Sequence, residues 1–259
     1  MAQADSGLLE KGVWTTSAGN MAQGVAWHAR RLGVKCKIVV PDHAPETKLS
    51  AIKRLGAEIV KVPSSTWFRT MKTRKFKGME GLFIHPFSDP AVMAGNGTIG
   101  LEILEDLPDV DVILVPYGGG GLSCGIASAV RAVKKDVKLY ACEVETAAPL
   151  AASFKAGEPV EVEYLPSFVD GIGAPYIFPE MWLLVKRLLD GSLVVGLEEI
   201  AQAIRLLAER NRVIAEGAGA APVAAALKEK IEGEKIVCVI SGGNIDTAKL
   251  VKIFQGNIP

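Results

Sequence analysis

Four consecutive glycines, Gly118, Gly119, Gly120 and Gly121, stand between an apolar run, Val112-Ile113-Leu114-Val115, and a helical pattern from Ile126 onward. The apolar run reads as a buried parallel strand, so the glycines form a strand-to-helix turn. Without Cβ atoms, several backbone N–H groups of such a turn can converge on one anion, and the helix N-terminus adds partial positive charge there. A phosphate would fit this place.

Two other readings compete. A glycine cluster can be a tight turn and nothing more. A nucleotide site is the second: the run fails G-x-G-x-x-G, because Ser123 and Cys124 fall where the third glycine belongs, and no lysine follows to make a P-loop. Glu143, at the end of the next strand, sits where a ribose-binding acid could be, so a dinucleotide-dependent oxidoreductase stays open at this point.

The 259 residues are enough for one large α/β domain or two modest ones. Lysine and arginine balance aspartate and glutamate at 29 each, which argues against nucleic acid or a membrane surface as partner. No apolar run approaches the ~20 residues of a transmembrane helix, and the N-terminus lacks the basic and apolar regions of a signal peptide. Cys36, Cys124, Cys142 and Cys238 lie far apart with no C-x-x-C pair, so neither a disulfide framework nor a zinc site is expected, and the cytoplasm is the inferred compartment. His28, His43 and His85 have no metal-ligand spacing and read as solvated or core residues.

Apolar runs at 36–40, 59–62, 82–84, 110–115, 137–142 and 236–240 alternate with helical periodicity. Ala22, Val25, Ala26, Ala29 and Leu32 share one helix face, as do Ile200, Ile204 and Leu207. The alternation predicts an α/β fold with parallel sheets and helices on both faces. Residues 156–179, richer in glycine and proline, read as a long functional loop or a cover segment. Two domains are expected, 1–88 and 89–259, with Asp89 as an N-cap and Pro90 opening a helix.

Three glycine-bearing turns, each running from strand into helix, line up in this layout. They are Ser17-Ala18-Gly19-Asn20-Met21, the tetraglycine run with Leu122, and Ser241-Gly242-Gly243-Asn244. With His85-Pro86-Phe87, the segment from Gly95 to Gly100, and Glu216-Gly217-Ala218-Gly219-Ala220-Ala221, the chain resembles the fold-type II pyridoxal-phosphate enzymes over nearly its whole length. The tryptophan synthase β-like fold is implied, and the nearest branch is the threonine/serine dehydratases.

The resemblance implies roles. Gly118, Gly119, Gly120, Gly121 and Leu122 would cradle the phosphate of pyridoxal 5'-phosphate, Asn20 would bond the ring hydroxyl oxygen, and Ser241 would face the ring nitrogen. Ser17, Ala18, Gly19 and Met21 would form the substrate site, with the carboxylate of a small amino acid at the helix N-terminus. The implied activity is a lyase reaction, α,β-elimination from L-threonine or L-serine to a 2-oxo acid and ammonia, in a cytoplasmic homodimer. Ala18 stands where racemase-like members carry a proton-transferring serine, which favours dehydration. Met21 replaces a histidine common in dehydratases.

The chain departs from the family pattern at the catalytic centre. The Schiff-base lysine, expected in a Ser-Phe-Lys context upstream of the Ser17 turn, has no counterpart here. Lys11 reads as a helix-end cation, and Ser153-Phe154-Lys155 follows the phosphate loop instead of preceding the Asn20 turn. The expectation is a chain lacking an N-terminal segment that would carry the lysine and the first strands of the larger domain, and therefore inactive alone. The alternative is a lysine-free, non-catalytic binding protein of the same fold. Glu143 matches one acid of a family cation site, but Pro149 replaces the second ligand, so no metal is expected.

Overall fold

The computed structural model describes Met1 and residues 4–259, which divide into two compact units, Met1–Asp89 and Pro90–Pro259. In the first, α1 (Ser6–Glu10), β1 (Val13–Thr16), α2 (Asn20–Leu32), β2 (Cys36–Pro41), α3 (Glu46–Arg54), β3 (Glu58–Val62), α4 (Ser64–Thr73) and β4 (Leu82–Phe83) follow in order. The strands form a parallel sheet in the order β3-β2-β1-β4. Trp14, Val39 and Val62 form a buried cluster with Trp67 and Phe76 packed against it. On α2, Ala22, Val25, Ala26 and Ala29 are buried as their spacing requires, but Leu32 is 48% exposed. The helix stops beside Gly33, whose left-handed conformation ends it, and Leu32 is left outside the packed stripe.

The second unit runs α5 (Pro90–Asp106), β5 (Val112–Pro116), α6 (Gly121–Val133), β6 (Lys138–Val144), α7 (Pro149–Ala156), α8 (Pro179–Leu188), β7 (Gly191–Val195), α9 (Leu197–Leu206), α10 (Gly217–Lys228), β8 (Ile236–Cys238) and α11 (Thr247–Phe254). Its sheet is also parallel, in the order β7-β6-β5-β8. β5 is buried at every residue, as expected of a strand covered on both faces. Val112, Leu114, Cys142 and Val144 pack with Ile200, Ile204 and Leu207, which the helical spacing places together. The fold is thus α/β with two parallel sheets. Among the described residues, no helix is long and apolar enough to cross a membrane.

Four local expectations need correction. α6 starts at Gly121, five residues before the periodic pattern begins at Ile126, so Ser123 and Cys124 are helical. β7 has no counterpart among the apolar runs; its residues are mostly half-buried and open on a glycine. β8 ends at Cys238, and Ile240 is 38% exposed in the loop beyond. The runs at 110–115 and 137–142 overlap β5 and β6, but both strands start one or two residues later and continue further. Residues 157–178 form no helix or strand, as expected of the long loop.

Candidate functional site

The turn from β5 into α6 is built around missing side chains. Tyr117 donates its N–H to the Cys142 carbonyl, 2.9 Å, which continues the strand pairing to the edge of the glycine run. Gly120 then takes φ +89°, the left-handed region that favours glycine, and becomes the N-cap of α6. A Cβ there would lie 3.1 Å from both Tyr117 Cε2 and Met181 Cε. No side chain caps α6. Gly120 O instead accepts the Cys124 N–H at 2.8 Å and the Ser123 hydroxyl at 3.2 Å. The earlier N–H groups of a 13-residue helix are left facing the loop, with the positive end of the helix dipole behind them.

The helix N-terminus is held in place by α5. A Cβ on Gly125 would fall 2.3 Å from Met93 O, one on Gly97 3.0 Å from Gly125 O, and one on Gly100 2.9 Å from Ile126 O. The glycines between Gly95 and Gly100 therefore do not all serve the same end: Gly97 and Gly100 let two helix backbones touch, while a Cβ on Gly95 would meet nothing.

β8 lies beside β5, and Val239 N–H still pairs with Leu114 O at 3.0 Å. The Ser241 loop and the glycine turn therefore leave neighbouring strands at the same carboxyl edge, where open parallel sheets bind ligands. Ser241 is exposed. Gly242 O accepts the Glu216 N–H at 3.0 Å, and a Cβ on Gly219 would fall 2.6 Å from that same oxygen. Asn244 Nδ2 is buried with no partner among the described residues. The last part of the long loop closes in beside the cradle: Phe168, Val169 and Ile172 are buried, and a Cβ on Gly118 would be 3.5 Å from Gly171 O.

In the first unit, Ser17 Oγ accepts the Gly19 N–H at 3.3 Å, and α2 starts at Asn20 with no side-chain cap. Ser17, Ala18, Gly19 and Met21 are half-buried, Asn20 is exposed, and Thr16 behind them is fully buried. No side chain caps this helix N-terminus, and its place at the carboxyl edge of a parallel strand suits a carboxylate.

The titratable groups around the larger unit's sheet edge are mostly silenced. Burial pushes the Cys124 thiol up to about 12, so it stays protonated. Glu143 is buried, and its carboxylate accepts N–H groups from Leu150 (2.9 Å) and Ala151 (2.7 Å) and the Ser192 hydroxyl (2.7 Å). Burial raises its pKa, opposed by those three hydrogen bonds. A side chain so engaged at the start of α7 cannot serve a ribose, which removes the main support for a dinucleotide. No group of three or more metal-ligating side chains occurs among the described residues. His85 is buried, its Nδ1 accepting N–H groups from Phe87 (3.3 Å) and Ser88 (3.0 Å), and so is a core residue.

Residues 1–242 match the family described as pyridoxal-phosphate dependent enzyme. The chain belongs to that family. It is 42% identical over 250 residues to an L-threonine ammonia-lyase of Thermotoga maritima, covering 95% of this chain and 62% of that protein. It is 40% identical over 248 residues to the catabolic L-threonine dehydratase of Escherichia coli, covering 94% and 75%. Among solved structures, the processed form of threonine deaminase isoform 2 from Solanum lycopersicum superimposes with a TM-score of 0.86 at 32% identity, covering 98% and 76%. Maize serine racemase gives 0.84 at 32%, covering 98% and 79%. The chain thus spans under two thirds of the Thermotoga relative's length.

The cofactor of this pyridoxal-phosphate family fits the residues present. Residues 118–121 put no side chain into the turn and none caps α6, so the first N–H groups of the helix match a phosphate. Sequence reasoning gives no individual role to Tyr117, Glu216 or Gly219, whose parts depend on neighbours distant in the chain. It also leaves Lys11 and Lys155 as the lysines to test; both are exposed, at the C-cap of α1 and in the last turn of α7.

Proposed function

We propose that this chain holds pyridoxal phosphate and a small hydroxy amino acid for the dehydration of L-threonine or L-serine to a 2-oxo acid and ammonia. The uncapped, side-chain-free start of α6 carries the reading, on a chain 40% identical to a threonine dehydratase. When bound, the cofactor supplies a ring that withdraws electrons from the substrate's α carbon. The N–H groups of Gly118 to Gly121, with Leu122, hold its phosphate, and Asn20 holds the ring hydroxyl oxygen. Ser241 faces the ring nitrogen. A serine hydroxyl does not keep that nitrogen protonated as a carboxylate would, which suits elimination.

Ser17 and the N–H groups of Gly19 to Met21 hold the substrate carboxylate at the start of α2. Ala18 separates dehydration from racemisation, which structural likeness does not, because a methyl group moves no proton. Lys11 and Lys155 are exposed at helix ends, so we expect the chain alone to bind cofactor without a covalent bond and to release no oxo acid. We further read the protein as cytoplasmic, in keeping with four cysteines that are all free thiols. As a homodimer, it should give twice the 27.5 kDa of one chain in light scattering.

The test is a fluorescence titration with pyridoxal phosphate, borohydride reduction with peptide mapping, and an oxo-acid assay on both substrates. Binding without a stoichiometric lysine adduct is expected. Turnover should appear when the chain is joined to the portion of the Thermotoga relative it does not span. Binding that never gives turnover, even then, favours the lysine-free binding protein. Failure to bind pyridoxal phosphate overturns the proposal.

A further inference from the structure

Beneath the glycine turn lies a polar atom that the fold leaves unsatisfied. Tyr117 is 2% exposed, yet its hydroxyl has no hydrogen-bond partner among the described residues. The ring lies directly under Gly120. From the point a Cβ on Gly120 would occupy, the Tyr117 hydroxyl is 3.3 Å away and Cε2 3.1 Å. Tyr117 directly follows Pro116, the last residue of β5. Its side chain shares a setting with Cys124 and Glu143, both close enough to act on it electrostatically.

Neither neighbour takes its proton. The Glu143 oxygens are already engaged by Leu150, Ala151 and Ser192, and burial keeps the Cys124 thiol protonated. A phenylalanine would fill the same space without a stranded hydroxyl. Buried polar groups are nearly always paired, and one left unpaired is destabilising. The hydroxyl therefore needs a partner that arrives from outside the chain, and the uncapped anion cradle is the feature it adjoins.

We propose that the Tyr117 hydroxyl is a further phosphate-binding donor, reaching the anion in the Gly118–Gly121 cradle from beneath the turn, directly or through one water. The proposal rests on the cofactor reading above and adds to it a residue outside the glycine run. The ring has a second effect: it wedges the space under Gly120 and holds that residue in its left-handed turn. The hydroxyl and the ring can be separated by substitution.

Tyr117→Phe keeps the wedge and removes the donor. Affinities for pyridoxal phosphate, for inorganic phosphate and for pyridoxal, which has no phosphate, are measured by calorimetry on the wild-type and variant chains. The variant should bind both phosphate-bearing ligands about tenfold more weakly, the size of one lost hydrogen bond to a charged group. Pyridoxal affinity should not change, and the melting temperature of the unliganded protein should stay level or rise. The 31P resonance of the bound cofactor should shift between the two proteins. Unchanged phosphate affinity, or equal losses for pyridoxal and pyridoxal phosphate, would make the hydroxyl irrelevant to the anion and overturn the proposal. If the wild-type chain binds no pyridoxal phosphate, the cofactor reading itself fails, an outcome distinct from a variant that binds as well as wild type.

Discussion

At the scale of single residues, Glu143 shows how a side chain with a familiar look can have a different task. Its two oxygens take three donors, two of them backbone N–H groups at the start of α7. A Glu143→Gln change turns one oxygen into a donor that faces donors. We expect a loss of about 1–3 kcal/mol in urea unfolding. The pH dependence has a definite sign. Burial raises the native pKa above the ordinary 4.5, so between that value and the raised one the folded chain binds more protons than the unfolded. Stability from this group then falls as pH rises through that window, and the glutamine variant should lack that part of the slope. Gly219 gives a second residue-scale test, since a Cβ would sit 2.6 Å from Gly242 O, in the loop that carries Ser241. Gly219→Ala should lower stability by roughly 1–3 kcal/mol and weaken pyridoxal phosphate binding in the same calorimetric titration. Neither role is legible in the sequence. An acid at a strand end does not announce the helix that will cap itself on it, and a glycine in an alanine-rich helix does not name the carbonyl it makes room for.

At the scale of elements, the phosphate cradle is as good as the packing of α6 on α5. Gly125 and Gly95 differ in what surrounds them, and the same substitution should act in opposite directions. Alanine is favoured over glycine inside a helix by about 1 kcal/mol. At Gly95, with nothing near the added Cβ, Gly95→Ala should raise stability by up to that amount. At Gly125 the Cβ would meet Met93 O at 2.3 Å, so Gly125→Ala must push the helices apart; it should lower the melting temperature and weaken phosphate binding despite the better propensity. Thermal melts of both variants check the pair. Period and apolar runs make most elements readable: β5 and the Ile200–Ile204–Leu207 face need nothing else. The start of α6 is misplaced by sequence because glycine reads as turn, and only the contact with α5 shows why the helix carries Gly125. β7 escapes notice because only Leu193, Val194 and Val195 of its five residues are apolar and the strand opens on a glycine and a serine.

At the scale of the whole molecule, the chain has two parallel sheets, and in each one strand, β1 or β5, leads through a glycine-bearing turn into a helix that no side chain caps. That much follows from strand–glycine–helix order, whereas the identity of the ligand comes from the family resemblance that the three turns carry. Whole-chain sums are less informative: a net charge of zero says nothing of Arg69, Lys72, Lys75 and Lys77, all exposed within nine residues. The two N-termini are assigned different anions, and hydrogen exchange can separate them. Inorganic phosphate should slow exchange at the amides from Gly118 to Ser123 and leave those from Gly19 to Met21 unchanged. Pyridoxal phosphate should protect the first group at least as well, and protection at Asn20 should appear only with this ligand, because its assigned partner is the ring hydroxyl oxygen. At a ligand concentration of about 100 Kd, binding to the native state alone stabilises it by about 2.7 kcal/mol, enough to read as a shift in the melting temperature. Equal protection of both turns by inorganic phosphate would mean that α2 and α6 are interchangeable anion sites, and the division of labour between phosphate and amino acid would have to be given up.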